Sequence, residues 1–140
     1  MELKILLNNY HYDEVNKLLV TEHVGHYEPA ELQNCLREIF TKVTGRVETI
    51  IAVWSELSSA STGDSDLALV DFNRRKMIEY GADLDNIILY VVIPRDAPES
   101  VDNRYKLMCG KTRGTKVVRI ISWEAALAEA GIKGSLPFSF

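Results

Sequence analysis

The chain has 140 residues, 46% hydrophobic and 26% charged, which fits one globular domain over residues 1–140 and excludes disordered, collagen-like and coiled-coil chains. A chain of this length buries enough surface to fold without disulfides or a structural metal. Sixteen basic against twenty acidic residues leave a net charge of −4, which argues against a dedicated duplex-DNA binder.

Residues 3–7 form a near-continuous apolar run before Asn8 and Asn9, which predicts a short buried strand. Residues 13–21 carry Val15, Leu18 and Leu19 at helical spacing and predict a first helix. A second helix is predicted from Pro29, with Leu32, Cys35, Leu36, Ile39, Phe40 and Val43 on one stripe and a stop at Gly45. Residues 47–54 are rich in β-branched side chains and predict a strand, followed by a serine-rich loop over 55–64.

Residues 66–80 read two ways: as one helix stopped by Gly81, which is favoured, or as a strand over 67–72 followed by a shorter helix. Residues 87–93 are seven consecutive apolar residues, as in a strand buried on both faces. Pro98 and four charges make 95–103 a predicted loop. Residues 105–109 and 116–122 then suggest an antiparallel hairpin at one edge. Ser122 suits an N-cap, Glu124 the first turn, and Gly131 the stop of a last helix. Strands alternating with helices indicate an α/β (or α+β) domain, a mixed sheet of about four or five strands covered by about four helices. The tail at 136–140 is expected to dock over the sheet.

Cys35 and Cys109 lie far apart without a CxxC spacing, which fits a reducing compartment. The first apolar run is too short and too charged for a signal peptide, and residues 87–94 fall far below the roughly 20 a membrane helix needs. A cytoplasmic, membrane-free protein is the expectation.

All three histidines, His11, His23 and His26, fall early in the chain. The His-Val-Gly-His spacing at 23–26 has no second ligand pair, so it reads as a solvated turn between helices, and no metal or cofactor is expected. Residues 109–116 contain Gly-Lys-Thr, but Tyr105 stands where a phosphate-binding loop needs glycine, and a strand rather than a helix follows. Residues 95–119 hold seven basic against three acidic side chains, whereas residues 1–94 hold eight against fifteen. With only Tyr105 interleaved among the cations, a solvated basic hairpin is the simpler reading than nucleic-acid binding.

Two functional readings follow. No nucleophile with an evident base appears in the sequence, so the first is a non-enzymatic protein-binding module. Glu79, Tyr80, Asp83 and Asp85 would form an acidic, tyrosine-bearing face, with Tyr10, Tyr12 and Tyr27 as further anchors. A basic toxin or nuclease, neutralised by occlusion of its active site as immunity proteins do, is the expected kind of partner. The alternative is a small α/β enzyme or anionic-ligand-binding domain. In it His11, Glu56, Arg95 and Asp96 would meet beyond the carboxyl ends of parallel strands.

Overall fold

A computed structural model describes residues 9–27, 38–39, 47–60, 71–72, 74–75, 77–79, 83, 85–111 and 115–132. Five strands form one mixed sheet, β1 (Asn9–Asp13), β2 (Leu18–Tyr27), β3 (Thr49–Ala60), β4 (Ile88–Val92) and β5 (Lys116–Ile120), in spatial order β1-β2-β3-β4-β5. β1 is antiparallel to β2, and β2, β3, β4 and β5 run parallel. Helix α1 (Glu99–Lys111) connects β4 to β5, and α2 (Trp123–Ala130) follows β5. The described residues within 71–79 are helical, as are Glu38 and Ile39.

The register is a regular grid. Its first row is Asp13, Leu18, Thr49, Ile88 and Lys116, and its last is Asn9, Glu22, Val53, Val92 and Ile120. Side chains alternate between the two faces. One face carries Leu19, Ile50, Ala52, Trp54 and Val91, packed with Ile39, Met77 and, from α1, Val101, Tyr105 and Met108. The other carries Leu18, Val20, Ile51, Val53, Tyr90 and Val92, packed with Trp123, Ala126, Leu127 and Ala130 of α2. Described residues from all three parallel crossovers therefore lie on one face, as crossovers of one hand require when successive strands are laid down side by side. Leu18, Leu19, Val20 and Ile51 are completely buried, each worth roughly 1.5–3 kcal/mol of transfer free energy.

Several expectations are corrected. Residues 13–21 are not a helix. The Asp13 carboxylate accepts the Val15 N–H at 3.1 Å and the Asn16 side-chain amide at 2.7 Å, and Lys17 takes φ +50°. A tight turn results, which leaves Val15 90% exposed while Leu18 and Leu19 enter opposite faces of β2. The expected loop after Trp54 is strand as far as Ala60, because Leu57 and Ala60 are buried on the α1 face and the backbone pairs with β2.

Residues 105–109 belong to α1, and β5 is parallel to β4. The antiparallel hairpin is β1–β2, at the opposite edge of the sheet. Pro98, taken as a loop marker, opens α1: its carbonyl accepts the Val101 and Asp102 N–H groups. Acidic Glu99 and Asp102 then occupy the first turn. Three helices of more than one turn are described, against about four expected. Asp71 and Phe72 are helical, which removes the strand reading of 67–72 at those two residues. The strand over 3–7 and the docked tail at 136–140 lie outside the described residues.

The last helix matches its sequence signals. Ser122 Oγ accepts the Ala125 N–H at 3.1 Å, and Gly131, at φ +75°, donates to the Ala128 and Leu127 carbonyls. Replacing Ser122 by Ala is expected to lower unfolding stability by about 1 kcal/mol through the lost cap. Gly131→Ala should cost about 1 kcal/mol through left-handed strain alone, since a Cβ there meets nothing within 4 Å. Urea denaturation of the two variants and the parent checks both.

Candidate functional site

Polar chemistry collects at the two ends of the parallel strands. At the amino-terminal end three connections are tied by backbone hydrogen bonds. Glu48 N–H donates to the Lys17 carbonyl at 2.9 Å, and Ile88 N–H donates to the Glu48 carbonyl at 3.2 Å. The turn at 14–17, the entry to β3 and the entry to β4 are thereby held side by side. Exposed Glu14, Glu48, Asp83 and Asp85 stand on these segments, and Glu79, also exposed, lies on the helical stretch just upstream. Lys17 Nζ is 3.5 Å from Glu48 Oε2, a solvated pair worth little to stability. Exposed Val15 rises from the same turn.

Exposed Glu14 and Glu48, distant in the chain from Asp83, stand at the same end of the strands, and the sequence reading did not include them. Asp83 also has a local duty. Its carbonyl accepts the Asn86 N–H at 3.0 Å and its carboxylate accepts the Asn86 side-chain amide, closing the turn into β4. Tyr80 lies outside the described residues. Tyr10 and Tyr12, expected as exposed anchors, are partly buried against the α1-face core instead.

At the carboxyl end, the β2–β3 pairing runs on past β4. The pairing of β3 with β4 ends at Val53–Val92, but β2 and β3 stay paired to Tyr27–Ala60, with register shifts between Glu22 and Val24 and between Gly25 and His26. Glu56, and Arg95 with Asp96 in the turn after β4, are exposed at this end. His11 is not there: it pairs with Val20 in the middle row of the sheet. The structure therefore brings three residues of the alternative site to one edge and leaves the fourth in the body of the sheet.

Residues 23–26 are strand, not a turn between helices. Just beyond the last row, His23 is almost fully buried, its ring centroid 5.9 Å from that of Trp54. Its Nε2 lies 3.2 Å from Thr21 Oγ1, a pair that strand alternation sets on one face. Burial pushes the imidazole down to about 3. Further out, His26 Nδ1 lies 2.6 Å from Ser59 Oγ, and Ala60 N–H donates to Ser100 Oγ on α1 at 3.1 Å. Among the described residues no group of three His, Cys, Asp or Glu side chains is placed to hold a metal ion.

The basic segment is partly internal. Arg104 is 1% exposed on α1, and Arg119 Nη2 donates to Asp102 Oδ1 at 2.7 Å while its guanidinium lies over the Tyr105 ring. Desolvation, followed by the adjacent Cys109 thiol, pushes the Tyr105 phenol up to about 12. Cys109 itself is exposed and not disulfide-bonded. Among the described residues no helix is long and apolar enough to cross a membrane.

Set against models of known protein families and against curated proteins, the chain matches none.

The buried imidazole has a consequence for acid stability. Unfolded His23 takes up a proton below its ordinary value near 6.5, whereas the folded protein resists protonation until pH about 3. The stability at stake is complete above about pH 6.5 and declines as pH falls toward 3, with a slope approaching about 1.4 kcal/mol per pH unit. Urea titrations from pH 7 to 4 should show His23→Gln losing less stability over this window than the parent. Parallel curves would remove His23 as the cause.

Proposed function

We propose that the protein is a binding module that presents the amino-terminal edge of its sheet to a cationic protein. The observation that supports this is the tie from Lys17 through Glu48 to Ile88, which gathers carboxylates from separate segments onto one exposed rim. Segments tied by backbone hydrogen bonds need little reordering on binding, and exposed carboxylates that outnumber Lys17 and Lys116 at this end speed encounter with a basic partner. Val15 adds an apolar contact inside that rim. A basic toxin or nuclease whose active site is covered by this edge is the partner class that fits, the action being steric occlusion. The reading needs no catalytic residue.

The test uses Glu48→Gln with Asp85→Asn, sparing Asp83 because its carboxylate closes a turn. Tagged parent and variant are compared for proteins retained from host lysate, followed by association kinetics with the purified partner. The expected result is a basic partner whose association rate falls about threefold to tenfold in the variant at low salt, and less at high salt. A partner bound at the same rate by both proteins would remove this edge from consideration.

The exposed guanidinium of Arg95, in the turn that follows β4, favours a second reading, an anionic small molecule held there. Native mass spectrometry would then show a bound anion that Arg95→Gln loses, and an identical spectrum for both proteins would count against it.

A further inference from the structure

We propose that Ser59 is a reactive nucleophile with His26 as its base, a partly exposed acyl-accepting site at the carboxyl end of the β2–β3 pairing. Three observations support it. Ser59 Oγ and His26 Nδ1 are 2.6 Å apart, within reach for an O–H donated to an imidazole nitrogen, and both residues are partly exposed. The juxtaposition depends on an irregularity rather than on plain strand pairing: Gly25 sits opposite Leu57, but His26 sits opposite Ser59, so Ser58 is skipped. Gly25 adopts φ +87° at this shift, a conformation other residues seldom take. Bulges that re-aim a side chain recur beside active sites. The serine backbone is also anchored, because the next residue, Ala60, is buried and bonded to Ser100 of α1.

The chemistry that fits is attack on a carboxylic ester. Ser59 Oγ forms a bond to the acyl carbon while its proton passes to His26 Nδ1. The ester C–O bond breaks and the departing alkoxide takes that proton, leaving an acyl-serine and an alcohol. Water, deprotonated by the same imidazole, then releases the acid and restores the hydroxyl. The backbone N–H directly after the nucleophile is already donated to Ser100 Oγ and does not serve the oxyanion. Acylation and deacylation both go without that donor, so ester turnover should be slow, and covalent capture by an activated reagent is the sensitive measurement.

The experiment treats the full chain with an alkyl fluorophosphonate, in which Ser59 Oγ bonds to phosphorus, fluoride leaves and His26 takes the proton. Peptide mass spectrometry locates the adduct. One adduct on Ser59 is expected, absent in Ser59→Ala, retained in Ser58→Ala, and formed roughly a hundredfold more slowly in His26→Gln. Far-ultraviolet circular dichroism confirms that each variant is folded. No adduct on Ser59, or labelling undiminished in folded His26→Gln, overturns the proposal. The site lies at the opposite end of the strands from the acidic rim, so this result and that of the partner test are independent.

Discussion

β2 is hydrogen-bonded along both edges, antiparallel to β1 on one side and parallel to β3 on the other, and the rest of the architecture is referred to it. Pairing on both sides holds its register, and a slip of one residue would exchange its two faces. Leu19 would then leave the core under α1, and Leu18 and Val20 would leave the core under α2. Because all of these side chains are fully buried, no such slip is tolerable. β3, β4 and β5 inherit the register in turn, which is why five strands align in common rows.

That alignment separates two chemistries. The rows begin beside turns rich in carboxylates and end where the β2–β3 pairing continues past β4. Strand order follows chain order, so the order never reverses, and the reversal point at which open parallel sheets ordinarily form a ligand crevice is absent among the described strands. Exposed carboxylates stand at one end, and the His26–Ser59 pair lies on the β2–β3 pairing past β4 at the other. That stretch is exposed in part only: Leu57 and Ala60 are buried on the α1 side, and Ser59, next to Ala60, is turned the opposite way by strand alternation.

Charge is distributed differently in space than along the chain. The cationic segment over 95–119 loses Arg104 to the interior and engages Arg119 with Asp102 and Tyr105. Its surface is less basic than its composition. The acids near the amino-terminal ends of the strands stay exposed, so the negative side of the molecule is the better expressed one. A buried charge is costly unless it is paired, and an exposed one costs little, which is why composition alone misjudges both.

The sequence by itself determined the α/β class, three strands, expected at 47–54, 87–93 and 116–122 and found at Thr49–Ala60, Ile88–Val92 and Lys116–Ile120, and both ends of the last helix. Each rests on local physics: β-branched runs, an N-cap hydroxyl and a left-handed glycine. Helix α1 was misread, its start as a loop because of Pro98 and four charges and residues 105–109 as a strand, although Val101, Tyr105 and Met108 are helically spaced. The first hairpin was misread because Val15, Leu18 and Leu19 have helical spacing, whereas only the Asp13 carboxylate and the pairing partners of β2 decide that Val15 points to water. Of the candidate residues, Glu79, Asp83 and Asp85 could be picked out as acids, whereas Glu14 and Glu48 join them at the same end of the strands only through the pairing of β2, β3 and β4. His26 and Ser59 are 33 residues apart, and a register shift at Gly25 aligns them. Local propensity acts within a few residues, whereas strand pairing and register join residues distant in the chain, so tertiary structure alone decided which side chains meet.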